Sequence, residues 1–298
     1  MSYAQATLVN QTRQLLSVDD SHYLSNEAMD TTELGLDVTD GTQWSVGDVA
    51  EFQDDGELCL VQSISSNTLT VIRNYLYSVT TTAGTGTTHS TSADLVKNPV
   101  YRFSQVTQAV AAALRNLWPH VYKKVQTTIT PVSGTYWYKV DAEMYELSRV
   151  VQKRTDNKTL TFYGRRREGF PVSIEHDLPA SFPEATTVAA VKFDRFDNYT
   201  NTVLVTGIAP LNDDVTTNAY DDISEGVQAE TVKYLAAAEL IGSRDIYRTT
   251  EQDASMGDQA TSPGASTRLA AYWRREGIVK REQWKAELRT TLPRMRGA

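Results

Sequence analysis

Four short segments decide how this chain is read: Leu34–Val38 (LGLDV), Trp44–Val49 (WSVGDV), Gly56–Val61 (GELCLV) and Asn67–Arg73 (NTLTVIR). Apolar and polar residues alternate through 32–73, the period of strands with one buried face. Gly41, Gly47, Asp55 with Gly56, and Ser65–Asn67 supply the turns between them. Strands this short at this spacing predict a small β barrel or meander over 32–98. Cys59, the one cysteine, lies in the apolar run Leu58–Val61 and reads as a buried strand residue. The following stretch, Ser78–Ser92, is mostly Thr, Ser and Gly and reads as an exposed loop or a flexible edge segment.

Helical periodicity flanks this block. Leu8, Val9, Leu15 and Leu16 predict a short amphipathic helix over 4–16. Phe103, Val106, Val110, Leu114, Leu117 and Val121 follow three- and four-residue steps around an alanine-rich middle, with Pro119 at the end. Residues 126–208 return to strand character. Seven candidates there (128–130, 136–140, 150–151, 160–162, 172–174, 188–193 and 203–205) predict a β-sandwich. In the last third, Asp222 and Glu225 resemble a capping box ahead of a helix faced by Ile223, Val227, Tyr234, Leu235, Ala238 and Ile241. Ser262 and Pro263 predict a second helix start. Leu269, Tyr272, Trp273, Ile278 and Trp284 form its stripe, with Gly277 a point of interruption.

The fold class expected is α+β: a helical bundle built from both chain ends, with a small β barrel or meander and a β-sandwich inserted. The divisions are 1–31 (first bundle helix), 32–98 (small β module), 99–125 (bundle helix), 126–215 (sandwich) and 216–298 (C-terminal helices and an arm). At 298 residues the chain is long enough for two or three such cores. The longest apolar runs fall short of the roughly 18–20 residues that span a bilayer, so no membrane partner is expected. The start, Met1–Gln5, lacks the basic and apolar regions of a secretory signal.

Charge is uneven along the chain. Twelve acidic residues and no Lys or Arg lie between Arg13 and Arg73, whereas 268–298 holds nine basic residues against three acidic. Such polarity suits head-to-tail contacts between subunits. Enzyme chemistry finds no motif. His22, His89, His120 and His176 form no metal-binding pair, and one cysteine gives no zinc framework. Asp54–Glu57 lacks calcium-loop spacing and reads as a hairpin turn. Gly84–Gly86 lacks the Lys-Ser/Thr of a phosphate loop, and no nucleophile elbow is present. No catalytic residue, cofactor or metal is therefore expected. Arg165, Arg166 and Arg167 beside Tyr163 form a candidate subunit or nucleic-acid contact, with an exposed strand end as the plainer reading. The tail mixes tryptophan with positive charge. Either its tryptophans pack into the protein's own bundle, or the segment is a docking arm with Trp and Arg anchors.

Taken together, three features resemble the head-to-tail connector (adaptor or neck) proteins of tailed phages. These are the block from Trp44 through Arg73 to His89 followed by Pro99 and the Phe103 helix, the run Ala236–Leu240, and the late helix carrying Trp273–Arg275. The chain departs from the family pattern at Asn74–Tyr77, where a glycine-bearing turn is expected. The resemblance implies a non-enzymatic virion protein forming a homo-oligomeric ring, commonly a dodecamer, below the portal protein. It would join downstream tail or neck proteins and surround the exit channel of double-stranded genomic DNA. The portal-docking set it implies is Trp273, Arg275, Trp284, Lys285, Arg289, Arg294, Met295 and Arg296. A glycan-binding or depolymerising tail component, with Tyr136, Trp137 and Tyr138 as a stacking platform, is the alternative from another class. A neighbouring stopper or tail-completion protein is the alternative within the neck.

Overall fold

In the computed structural model the 3.6-period segments form helices and most period-two segments form strands, but Trp44–Asp48 forms a turn between a short 3-10 helix (Gly41–Gln43) and the strand that starts at Val49. The structure describes residues 3–16, 21–75, 86–153, 159–162, 173–175, 189–193, 201–214, 219–251 and 265–291. In chain order come β1 (Tyr3–Ala4), α1 (Gln5–Leu15), β2 (Ser21–Leu24), β3 (Gly35–Asp37), β4 (Val49–Phe52), β5 (Leu58–Ser65), β6 (Thr68–Ile72), β7 (Asp94–Lys97) and α2 (Phe103–Leu117). Then follow β8 (Lys123–Ile129), β9 (Trp137–Lys139), β10 (Glu146–Lys153), β11 (Thr159–Phe162), β12 (Ser173–Glu175), β13 (Ala190–Lys192) and β14 (Val203–Ala209). The chain closes with β15 (Ala219–Tyr220), α3 (Val227–Glu251) and α4 (Ala265–Thr291). Helices with antiparallel sheets place the protein in the α+β class. Two compact units are formed, one from 1–114 with 212–298 and one from 115–211.

In the first unit six strands pair in the order β2-β7-β4-β5-β6-β3, every pair antiparallel. The sheet curls into a half-barrel whose edges touch through a bridge between Ser25 and Val38. Leu36, Val38, Cys59, Val61, Leu69 and Val71 point into one core, as their alternation requires. Burial pushes the Cys59 thiol up, so it stays protonated and inert. Gly56 turns the β4–β5 hairpin at φ +79°, and a Cβ there would lie 2.6 Å from Phe103 of α2. Glycine is needed for both reasons. Strands β2 and β7 were not legible in the sequence. They are four residues each, and β7 buries the neighbours Leu95 and Val96 instead of alternating.

The helices belong to the same unit. α1 buries Leu8 and Val9, but also Thr12 and Arg13. α2 buries all of Phe103, Val106, Val110, Leu114 and Leu117 and stops before Pro119. α3 begins after Gly226 (φ +88°), later than the expected cap. Asp222 instead accepts the Asn212 N–H at 2.8 Å, and the Gln228 side chain reaches back to the Ser224 N–H at 2.8 Å. α3 packs against α1 and α4, and its consecutive Ala236, Ala237 and Ala238 are all buried, so more than one side of it is covered. α3 and α4 run antiparallel, with Glu230 bonded to Lys280 at 2.6 Å and Tyr234 stacked on Trp273 at 5.3 Å. Gly277 does not interrupt α4. A Cβ there would lie 2.7 Å from Leu235, so the glycine admits the neighbouring helix instead. The expected start at Ser262 and Pro263 lies outside the described residues.

In the second unit a strand lies in each of the seven segments read as strands. They form sheets ordered β11-β10-β14-β8 and β12-β13-β9. One core draws on both sheets, with Val125, Ile129, Val150 and Val205 from one and Tyr138 and Val191 from the other. The Tyr138 hydroxyl accepts the Val132 N–H at 2.8 Å, tying the turn that precedes β9. Tyr138 is therefore a core residue. Tyr136 is 53% exposed and Trp137 half-buried, with Lys192 5.5 Å from its ring centre. The three aromatics do not form one stacking face. Among the described residues no helix is long and apolar enough to cross a membrane.

Candidate functional site

Two arrangements concentrate charge or exposed apolar surface: the helix α4 and the half-barrel. On α4 only Gly277 and Trp284 are buried among the described side chains. Trp284 is 2% exposed, so it belongs to the protein's own core and not to an open docking face. Trp273 is half-buried by its stack on Tyr234. Arg275 is exposed, and Lys285 sits 3.5 Å from Glu282. Arg289 lies in the last turns of α4. Arg294, Met295 and Arg296 lie outside the described residues, as do Arg165, Arg166 and Arg167. The surface of α4 instead presents Leu269, Tyr272, Ile278 and Val279, each between 41% and 51% exposed. Helical spacing puts Leu269, Tyr272 and Val279 on one ridge. Their concentration on one helix distinguishes this surface from scattered apolar exposure.

Inside the half-barrel lies a cluster the sequence did not reveal. Glu57 accepts from Arg73 Nε at 2.8 Å and Nη2 at 2.7 Å, from the Thr87 N–H at 2.8 Å, and from His89 Nε2 at 2.9 Å. Arg73 also donates to the carbonyls of Asp30 and Thr87. His89 Nδ1 meets Asp54 at 3.1 Å, and its ring stacks on Phe52 with centres 3.5 Å apart. His89 is only 4% exposed and bridges Met29 through its backbone, although Thr87, Thr88 and Ser90–Ser92 around it are exposed, as expected of that stretch. Burial opposes the charged imidazole, but the hydrogen bonds to Asp54 and Glu57 outweigh it and hold His89 at about 9. Burial likewise opposes the Glu57 carboxylate. The His89 and Arg73 hydrogen bonds overcome that penalty and hold it well below the usual carboxylate range.

This cluster makes stability depend on pH. Folded His89 keeps its proton up to about 9, while an ordinary imidazole releases it near 6.5. Its contribution is whole below pH 6.5 and is lost as pH rises to about 9. Thermal melts across that window should show a fall in Tm that His89→Gln flattens. An unchanged slope in the variant would remove the imidazolium from this account.

Asp54, Asp55 and His89 offer ligand atoms within 4.8 Å of one another. The fit to a metal is poor. Both His89 nitrogens are engaged by carboxylates, and an imidazolium has no lone pair to give. Asp55 already accepts from the Glu57 N–H at 2.8 Å and from the Thr87 hydroxyl. The group is an ion network in which a buried His89 meets exposed carboxylates.

A second buried pair ties three elements together. Glu51, on β4, accepts from Arg13 of α1 and from the Phe103 N–H of α2 at 2.6 Å. Glu51 is fully buried and Arg13 4% exposed. The carboxylate thereby occupies the N-terminus of α2, where helix N–H groups lack partners. Neither residue stood out in the sequence, because a buried ion pair across 38 positions has no local pattern.

The half-barrel seam is acidic. Asp37, with smaller contributions from desolvation and from Glu33, pushes the Glu27 carboxyl up. Arg13 and Arg73, the cations bounding this stretch, are committed to Glu51 and Glu57. No family model matches the chain, and no curated protein matches it.

Proposed function

We propose that the protein is a structural component of a tailed-phage virion, a head-to-tail connector that assembles as a ring below the portal. The observation that carries this reading is α4, a 27-residue helix held by α3 and presenting apolar and basic side chains outward. A helix in that state is built to be covered by protein. In this reading α1 to α4 form one bundle at the ring, and 115–211 is a β-sandwich that meets tail components. The acidic half-barrel fits a surface near DNA that must let the duplex slide, because a basic lining would grip phosphates. Ion pairs buried inside each subunit serve rigidity and not chemistry, in keeping with a non-enzymatic role.

Portal docking falls to the chain beyond the buried Trp284, with Arg289, Arg294, Met295 and Arg296 as its charged and apolar anchors. Native mass spectrometry of the protein with its portal tests this. The full chain should bind the portal ring stoichiometrically. Removing 289–298, which spares Trp284, should weaken binding by about a hundredfold or more, the scale of losing two or more interface anchors. A full chain that ignores the portal would overturn the connector reading.

A further inference from the structure

α4 carries a second lengthwise face, turned away from α3. Gly277 and Trp284 mark the line that packs inward. Tyr272, Arg275, Val279, Glu282 and Ala286 follow in steps of three and four on the opposite side, the spacing by which two helices pack along their length. All five are exposed, Tyr272 by 51% and Val279 by 47%. The charges on this face are ordered. Arg275 lies toward the start of the helix and Glu282 toward its end, seven residues apart and so nearly in line. Among the described residues the ion pairs of α4 use Arg274, Lys280, Arg281 and Lys285 and leave Arg275 out. Glu282 meets Arg281 at 2.9 Å and Lys285 at 3.5 Å, exposed pairs of the kind that hold a carboxylate only weakly.

We infer that α4 of one copy packs antiparallel on α4 of a second copy, about a two-fold axis between Ile278 and Val279. In that register Arg275 of each copy falls opposite Glu282 of the other, and Glu276 falls opposite Arg281, so no carboxylate meets another. Ile278 and Val279, 41% and 47% exposed, lie at the axis and supply apolar area there with Tyr272. Ala271 falls opposite Ala286, and small side chains at both ends let the backbones approach. Beyond them Arg268 falls opposite Arg289, a like pair that ends the contact at a length of about 22 Å. Parallel pairing in register would set Arg275 against Arg275 and Glu282 against Glu282, so charge selects the antiparallel arrangement. The contact is isologous and closes at two copies. It goes beyond the connector reading and uses none of the anchors assigned to the portal.

Charge reversal in the full chain, read by sedimentation velocity and native mass spectrometry, tests the contact. Arg275→Glu and Glu282→Arg each set like charges face to face twice per dimer, and each alone should self-associate about a hundredfold more weakly than the wild type. Mixed in equal amounts, the two variants should form a heterodimer, and both changes in one chain should restore the homodimer. Both side chains are exposed, so folding should persist, checked by circular dichroism and melting temperature. Cross-linking reads the orientation, and the buried Cys59 does not interfere. Ala271→Cys mixed with Ala286→Cys should form a disulfide between copies, while Ala271→Cys alone should not, because its two copies lie about 22 Å apart along the helices. A monomeric wild type, variants that associate like it, a mixture that stays dissociated, or cross-linking of Ala271→Cys with itself would each overturn the inference. Portal binding without this dimer would keep the connector reading and overturn the inference. A dimer that follows these rules and ignores the portal would do the reverse.

Discussion

Glu57→Ala destabilises the half-barrel by about 3–5 kcal/mol, the range for stripping one partner from a buried ion pair. The carboxylate is the acceptor for Arg73, Thr87 and His89 together, so its loss strands an arginine that is 1% exposed and an imidazolium that is 4% exposed. Arg73 keeps its backbone carbonyl acceptors, which orient it without balancing its charge. Glu57→Gln should cost less, since the amide oxygen can still accept. Removing both charges, as Glu57→Met with Arg73→Met, should cost less than the two single changes added, because no orphaned ion remains. Urea unfolding followed by Trp44 emission reads the effect, since Trp44 is buried in the same core. A loss under about 1 kcal/mol for Glu57→Ala would show the site to be solvated like a surface pair.

Glu51→Ala costs a comparable amount, about 3–5 kcal/mol, but its signature is spread over different elements. The buried Arg13 loses its carboxylate and the Phe103 N–H its acceptor, so α1 and the first turn of α2 both loosen against the half-barrel. Two Arg13 atoms, Nε and Nη1, already lack a partner, and the pair has little reserve to lose. Hydrogen exchange should quicken across α1 and at the start of α2 while β5 and β6 keep most of their protection. Glu51→Gln should fall between, retaining an acceptor for Phe103 but no charge for Arg13. Exchange that quickens uniformly through the half-barrel would contradict the tethering role.

These two residues mark a limit in reading the chain. Glu51 falls among buried neighbours in β4 and Glu57 lies just before β5, where burial does not alternate, so nothing local announces a partner in α1 or at Arg73. His89 shows the same limit. Its Thr- and Ser-rich surroundings have loop composition, and its burial depends on Glu57 and Asp54, more than thirty residues away. Trp284 could be a surface anchor or a core residue by pattern alone, because a tryptophan on a basic helix serves either purpose. Its burial in the folded chain decided it. Asp222 carried the side chain of a helix cap but found the Asn212 N–H first, and Gly226 set the start of α3 instead.

What the sequence determined by itself is what rests on spacing within one segment. The alternation of 34–38 and 67–73 specified strands with one buried face, Asp55 and Gly56 specified the β4–β5 hairpin, and the steps from Phe103 to Leu117 specified which side of α2 would be buried. Seven strand segments in 126–208 were visible for the same reason. The uneven charge was equally legible, since counting needs no fold. Tertiary structure alone decided which charges are buried and paired, which tryptophan turns inward, and that Gly277 admits a helix instead of breaking one. Those outcomes are set by atoms brought together from distant positions, where desolvation and hydrogen bonding act on the assembled neighbourhood and leave no periodic trace in the chain.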